Sequence, residues 1–248
     1  MNLVDVTSEG PVSVVTLRRE EKLNALSSRL ERELKEALAG DVVRSSACVV
    51  VTGGARAFSA GADVNELRGR SPADVFAYYG ETGDVYEQVA ALPQPTVSAI
   101  AGYCLGGGLE LALATDFRIA DETAVFGFPE VSLGILPSSG GTQRLTRLVG
   151  PARAKELTLL HSRLDAREAL ARGLVVEVVE PGEALARALE VARALAELPA
   201  LAATLTKRAI DAMPEASREV GLLIERLAYG LLGQTDDARA ATERFGDG

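Results

Sequence analysis

Tryptophan is absent from this chain of 248 residues, and aromatic residues make up only 4% of it. Apolar packing must therefore depend on Leu, Val, Ile and Ala, within a hydrophobic content of 47%. With charged residues at 25%, the composition is typical of a globular protein. A chain of this length can bury one large core, alone or with an appended unit.

Histidine and cysteine are scarce, which excludes several kinds of active site. His161 is the single histidine, so a His-rich metal site is excluded, and a Ser–His–Asp triad would have to use it. No Gly-x-Ser-x-Gly turn accompanies it. Cys48 and Cys104 lie among apolar residues and glycines, without metal-ligand spacing. We expect both to be reduced, small hydrophobic side chains, and we expect no bound metal.

Basic residues are outnumbered, with 26 Lys and Arg against 35 Asp and Glu and a formal net charge of −9. This balance argues against a nucleic-acid partner, which needs a basic surface, and against an anionic membrane surface. No apolar run approaches the roughly 18 residues of a membrane span. Residues 1–10 are mixed and acidic, unlike a signal or transit peptide, so we expect a cytoplasmic protein.

Strand and helix signals alternate along the first part of the chain, which predicts an α/β core. Near-continuous apolar runs at 47–52 and 96–101 are typical of buried strands, and helical spacing at 27–39 begins at Ser27, a predicted N-cap. From about residue 150 the chain is mostly helical.

We predict two units, a core with the active site over residues 1–190 and a helical region over residues 191–248. The helical region has an apolar face that contains Leu222, Leu223, Leu227, Leu231 and Leu232. Such a face must pack on the core or on another subunit.

A glycine-rich segment, residues 102–116, follows a buried strand and leads into a helix. Glycines let a ligand approach the backbone closely, and free N–H groups at a helix N-terminus favour negative charge. This arrangement suits a developing oxyanion, with Glu110 in the first helical turn beside it. The alternative is a tight turn followed by a glutamate that the helix dipole alone favours.

A second segment, residues 126–144, contains an isolated acid. Glu130 is the only charged residue between positions 125 and 136. A lone carboxyl group in apolar surroundings has a raised pKa, which suits general acid–base catalysis. The alternative is a helix-capping or surface glutamate after Pro129.

Together, these two segments resemble the signature of the enoyl-CoA hydratase (crotonase) superfamily, and enoyl-CoA hydratase in particular. Residues 57–63 are similar to the family's first oxyanion segment, and residues 22–26 to its early CoA-proximal motif. The resemblance implies a crotonase-type spiral of repeated β-β-α units with a C-terminal helical trimerisation region. It also implies a homotrimer, often paired into a hexamer.

The resemblance further implies which residues act. The backbone N–H groups of Ala62 and Gly107 would form the oxyanion hole, and Glu110 and Glu130 would be the catalytic carboxylates. We expect Glu110 to hold and deprotonate water, and Glu130 to act as the acid that also positions water. The residues implied to contact the acyl-CoA thioester are Lys22, Ala25, Ala60, Gly61, Asp63, Val64, Asn65 and Gly106.

The reaction implied is the reversible addition of water to trans-2-enoyl-CoA to give 3-hydroxyacyl-CoA, a lyase activity of fatty acid metabolism. Coenzyme A is part of the substrate, so we expect no separate cofactor. Isomerases of the superfamily commonly need one carboxylate, at the Glu130 position, so the presence of both acids favours hydration. The alternatives are an isomerase or another crotonase-type acyl-CoA reaction, and a non-catalytic acyl-CoA-binding protein.

Two features depart from the family pattern. Glu20 and Glu21 precede the early motif and make the phosphate side of the site less basic. Ser138 and Ser139 stand where many hydratases have Gly-Ala, which affects the fine positioning near Glu130. We expect Asp63 to cap or brace its own loop and not to take part in catalysis.

Overall fold

The computed structural model describes residues 2–67 and 69–246. Its strands are β1 (Val4–Glu9), β2 (Val12–Leu17), β3 (Cys48–Thr52), β4 (Ala57–Ser59), β5 (Thr96–Ile100), β6 (Tyr103–Leu105), β7 (Phe117–Asp121), β8 (Val125–Gly127), β9 (Leu164–Asp165) and β10 (Glu177–Val179). Its α-helices are α1 (Ser28–Ala39), α2 (Asp41–Arg44), α3 (Val64–Leu67), α4 (Pro72–Glu81), α5 (Val85–Ala90), α6 (Gly107–Leu113), α7 (Gly141–Leu159), α8 (Ala166–Ala171), α9 (Ala184–Ala196), α10 (Ala200–Ala212), α11 (Arg218–Leu232) and α12 (Asp236–Gly246). Short 3-10 helices cover Glu20–Lys22 and Glu130–Leu133.

The strands form two sheets that the chain visits in turn. The six-stranded sheet has the order β1-β2-β3-β5-β7-β10, and the four-stranded sheet has the order β4-β6-β8-β9. The pairs β3 and β4, β5 and β6, and β7 and β8 each take one strand from each sheet before the chain enters helix. The predicted α/β class with repeated β-β-α units is therefore confirmed.

The larger sheet is buried on both faces, which explains why its central strands lack polar alternation. Every residue of β3 and β5 is buried. Val49 and Val51 point into the core that contains the buried leucines of α1, whereas Val50 points to the opposite face, towards α9. Successive side chains of a strand point to opposite sides of the sheet, so the residues of one apolar strand pack alternately into two cores. Ser27 caps α1 by accepting the Leu30 N–H, as predicted.

Helix α9 packs on the larger sheet through alanines. Ala184, Ala188 and Ala192 recur every four residues and are buried on one helix face. Small side chains let the helix approach the strands closely. The boundary predicted between residues 190 and 191 falls inside this continuous helix, all of whose buried positions belong to the core.

The start of the glycine-rich segment forms a strand and not the tight turn that the glycines alone would suggest. Between Gly102 and Gly106 the backbone is extended and forms β6, which pairs with β4 and β8. The glycines bracket the strand instead of forming one continuous turn. This short strand brings the start of α6 beside the segment that follows β4.

The last helices pack less deeply. Helix α10 is anchored by Lys207, a buried side chain whose Nζ lies 2.8 Å from Asp116 Oδ2 and 3.3 Å from the Gln94 carbonyl oxygen. Helix α11 buries no side chain, and Leu223, Leu227 and Leu231 are 54%, 65% and 56% exposed. Within residues 2–67 and 69–246, no helix has both the length and the apolar content needed to cross a bilayer.

Replacement of Lys207 with methionine tests the anchor of α10. We expect Lys207→Met to lower the free energy of unfolding by about 2 kcal/mol, because Asp116 loses a charged donor in a buried setting. Urea unfolding followed by circular dichroism measures the change. The matched variant is Arg208→Met, which removes an exposed side chain of the same helix that donates to the Ala91 carbonyl (2.7 Å) and should cost about 1 kcal/mol or less. Equal losses in both variants would contradict this assignment.

Candidate active site

The segment after β4 forms one side of the candidate site. The Leu26 N–H donates to the Gly61 carbonyl (2.8 Å) and the Asp63 N–H to the Leu26 carbonyl (2.9 Å), which pairs Leu26 with Ala62 as a parallel bridge. In this pattern the bonds come from the residues on either side of Ala62. The Ala62 N–H therefore points away from Leu26.

Two glycines allow this segment to lie against the start of α6. Gly61 has a φ of +99°, and a Cβ there would lie 2.9 Å from the Leu105 carbonyl oxygen. A Cβ at Gly108 would lie 2.3 Å from the Ser59 carbonyl oxygen. Side chains at these positions would push the two segments apart, so glycine is required at both.

The close approach places two backbone donors side by side. The Ala62 nitrogen is 3.5 Å from the position that a Cβ of Gly107 would occupy. Gly107 is the first residue of α6, where N–H groups have no acceptor within the helix. Across the described ranges, neither N–H donates a hydrogen bond to another residue. The pair can thus bind an anionic oxygen, the role predicted for it.

Glu110 lies one turn further along α6 and is only 4% exposed. Its Oε1 accepts hydrogen bonds from the Ser139 N–H (2.7 Å) and the Gly141 N–H (2.8 Å). Burial raises the pKa of Glu110, whereas these two donors and the Arg144 guanidinium act in the opposite direction. The carboxyl group is therefore fixed in position by two donors that favour its ionised form.

Glu130 begins the 3-10 helix after Pro129 and is 9% exposed. Its Oε1 lies 2.6 Å from the position of a Cβ on Gly106, which has a φ of +52°. Its Oε2 is buried and accepts no hydrogen bond from the described part of the chain. Burial, with a smaller contribution from the neighbouring Glu110, raises the pKa of Glu130 to about 7. Near neutral pH this acid can therefore both give and take a proton.

Gly106 lies between the backbone of Glu110 and the carboxyl group of Glu130. The Glu110 N–H donates to the Gly106 carbonyl (2.9 Å), and the Glu130 carboxyl lies against the Gly106 Cα. The structure thus brings together the two predicted acids, the two predicted backbone donors and Gly106. Their catalytic roles remain predictions.

The predicted CoA-contact residues other than Gly106 lie on two adjoining segments. The Ala60 N–H donates to the Leu23 carbonyl (2.9 Å), which joins residues 22–26 to residues 60–65. Lys22, Val64 and Asn65 are exposed, and Ala25 is half-buried. Asp63 pairs with Arg19 (2.8 Å) and accepts the Asn65 N–H (3.1 Å). Asp63 therefore braces its loop in this structure, and any contact with CoA remains a prediction.

Sequence reasoning missed the groups that hold Glu110. In the sequence Ser139 stands out only as a departure from the family pattern, although its N–H binds the Glu110 carboxylate. The pair Gly140 and Gly141 before a helical run was the available signal, because a helix N-terminus offers free N–H groups to an acid. Gly141 also leaves room for Glu110, since a Cβ there would lie 2.7 Å from Oε1.

Buried acids extend beyond this pair. Glu31 is 1% exposed and accepts hydrogen bonds from the hydroxyl groups of Tyr78 and Tyr86. Within residues 2–67 and 69–246, no group of three or more His, Cys, Asp or Glu side chains is placed to bind a metal ion. Cys48 and Cys104 are buried free thiols.

Comparison with known proteins agrees with this geometry. The family model described as enoyl-CoA hydratase/isomerase matches residues 7–247. A Rhizobium meliloti protein named "Probable enoyl-CoA hydratase" is 41% identical over 241 residues, covering 97% of this chain and 93% of that protein. The "Short-chain-enoyl-CoA hydratase" of Clostridium acetobutylicum is 38% identical over 248 residues, covering 99% and 95%.

Solved structures show the same relationship. The crystal structure of an enoyl-CoA hydratase from Bacillus anthracis has a TM-score of 0.91 and 37% sequence identity, covering 99% of this chain and 96% of that chain. The family match spans nearly the whole sequence, and the relatives align over almost their full lengths. The chain therefore belongs to the enoyl-CoA hydratase/isomerase family.

Proposed function

We propose that this protein is an enoyl-CoA hydratase that adds water reversibly to trans-2-enoyl-CoA and forms 3-hydroxyacyl-CoA. The observation that carries the proposal is the pair of buried carboxyl groups, Glu110 and Glu130, beside the free N–H groups of Ala62 and Gly107. The names of the relatives support the same reaction.

The N–H pair would act on the thioester oxygen. Addition of water at C3 places negative charge on this oxygen, and the Ala62 and Gly107 donors stabilise the enolate that forms. Loss of one such donor typically lowers the rate by about 10²- to 10³-fold. The donors are held by backbone geometry and need no rearrangement during the reaction.

The two acids have different partners, which supports a division of roles. Glu110 accepts two N–H bonds that favour its ionised form, so it takes a proton from water as the oxygen bonds to C3. Glu130 has a pKa of about 7 and gives a proton to C2. Its Oε2, which accepts no hydrogen bond from the described residues, is suited to accept one from the same water. Proton exchange with solvent then restores both groups.

The alternative functions, an isomerase and an acyl-CoA-binding protein, need fewer of these groups. An isomerase needs one carboxylate to move a proton between carbon atoms, and a binding protein needs neither. Glu110 is held by two dedicated donors beside the N–H pair, which favours hydration. Coenzyme A would enter as part of the substrate, and the reaction needs no separate cofactor.

We also propose that the protein assembles as a trimer, alone or paired into a hexamer. The support is the apolar face of α11, where Leu223, Leu227 and Leu231 are exposed in the single chain. A face of this kind is expected to be covered by another copy.

Exchange of Leu227 for glutamate tests the assembly. We expect Leu227→Glu to give monomers by light scattering, because a charge in an apolar interface is costly to bury. The control is Glu225→Gln on the same helix, which should retain the oligomer. An unchanged mass for Leu227→Glu, or a monomeric wild-type protein, would refute this interface.

Amide replacements test the two acids. We expect Glu110→Gln and Glu130→Gln each to lower kcat for crotonyl-CoA by about 10²- to 10⁴-fold, the usual contribution of a general acid or base. Binding of the substrate should change little. Loss of enoyl-thioester absorbance reports turnover, and calorimetry reports binding. Glu122→Gln, at an exposed acid, is the control. Near-normal turnover in either site variant would rule out the two-acid mechanism.

The pH profile tests the ionisation of Glu130. The pKa of Glu130 is about 7, and Glu130 must be protonated to donate a proton to C2. We therefore expect kcat/KM for hydration to fall as the pH rises through about 7. This high-pH decline should be missing from the residual activity of Glu130→Gln. A decline that persists unchanged in that variant would assign the ionisation to another group.

A further inference from the structure

A third buried carboxyl group lies outside the reaction scheme. Glu31 is 1% exposed and stands on the buried face of α1 with Leu30, Leu34 and Leu38. Its burial raises the pKa to about 7. A leucine would fill this position without any desolvation cost, so packing alone does not explain an acid there.

The hydrogen bonds of Glu31 indicate the role of this carboxyl group. Its Oε1 accepts from the Tyr78 hydroxyl (2.6 Å) and the Tyr86 hydroxyl (3.0 Å). Its Oε2 accepts none from the described residues. Burial is the main cause of a raised pKa for Tyr86, and Glu31 adds to it, so this hydroxyl stays protonated and donates to the carboxyl group.

Tyr86 connects this bond to the backbone donors. Its hydroxyl oxygen lies 3.2 Å from the position that a Cβ of Gly107 would occupy. Leu26 Cδ1 and the Ala62 nitrogen lie 3.3 Å and 3.5 Å from the same point. The tyrosine hydroxyl and the Ala62 nitrogen therefore both lie within 3.5 Å of one point beside Gly107.

We propose that Glu31 and Tyr86 are positioning residues for the oxyanion hole. By accepting the Tyr86 O–H, Glu31 holds the ring end against Gly107 and sets the distance between the Ala62 and Gly107 donors. The inference rests on the proposed function, because it assumes that these donors bind a thioester oxygen. It assigns no proton transfer to either residue.

Tyr78 provides a matched control for this role. Its hydroxyl bonds to the same Glu31 oxygen, but Tyr86, not Tyr78, is among the atoms nearest to Gly107. Tyr78→Phe and Tyr86→Phe thus each remove one hydroxyl hydrogen bond to the same oxygen of Glu31. A role of Glu31 limited to stability would give the two variants similar effects.

The test measures the carbonyl stretch of an acyl-CoA labelled with ¹³C at the thioester carbon, bound to each variant. In the wild-type protein we expect a lower frequency than in free solution, because two donors polarise the bond. Tyr86→Phe and Glu31→Leu should return it towards the free value and lower kcat by about tenfold or more, with KM nearly unchanged. Misplacement of a group by about 1 Å can cost 10²-fold.

Two variants should retain the wild-type frequency and kcat. They are Tyr78→Phe, and Glu31→Gln, whose amide oxygen can still accept both hydroxyl groups. Wild-type values for Tyr86→Phe, or an equal change in Tyr78→Phe, would overturn the inference. If the wild-type protein itself leaves the frequency unshifted, the oxyanion hole of the proposed function fails, and the inference fails with it. Tyr86→Phe keeps its ring, so the test does not depend on Glu31→Leu folding.

Discussion

The rest of the site depends on the contact between two backbone segments at Gly61 and Gly108. A side chain at either position would collide with a carbonyl oxygen of the opposite segment. The pairing of β4 with β6 in the smaller sheet brings these segments together. Because the contact is made by backbone atoms, the two free N–H groups are fixed by the fold itself. This is preorganisation in its simplest form, and it needs no flexible side chain.

The three buried glutamates of the described ranges differ because their partners differ. Glu110 has two backbone donors, Glu31 has two tyrosine hydroxyl groups, and Glu130 has one oxygen without a hydrogen bond from the described chain. Burial raises the pKa of all three, and the donors oppose it to different extents. Buried glutamates can therefore have quite different settings: two backbone donors hold Glu110 in place, whereas Glu31 and Glu130 both have a pKa of about 7.

Local patterns predicted much of this organisation. The near-continuous apolar runs predicted the buried strands. Glu110 and Glu130 stand out locally as acids in unusual surroundings, but only the resemblance to the family assigns them a catalytic role, which stays a prediction. Contacts between distant segments were not predictable, since Glu31 meets Tyr86 across 55 residues and Glu110 meets Gly141 across 31. The packing of α9, which spans the predicted boundary at 190/191, was not predictable, because alanines give a weak apolar signal although they allow close contact with a sheet.

Helix α4 is held to the rest of the protein by few contacts, so it can open locally. It buries no side chain, and its hydrogen bonds to the rest of the protein include those from Tyr78 to Glu31 and from Tyr79 to Ser138. An element with so little apolar burial opens at a small fraction of the free energy of global unfolding. It can therefore swing outward while both sheets remain intact. Such local opening would break the hydrogen bond from Tyr78 to Glu31 and leave Glu110 and both sheets undisturbed.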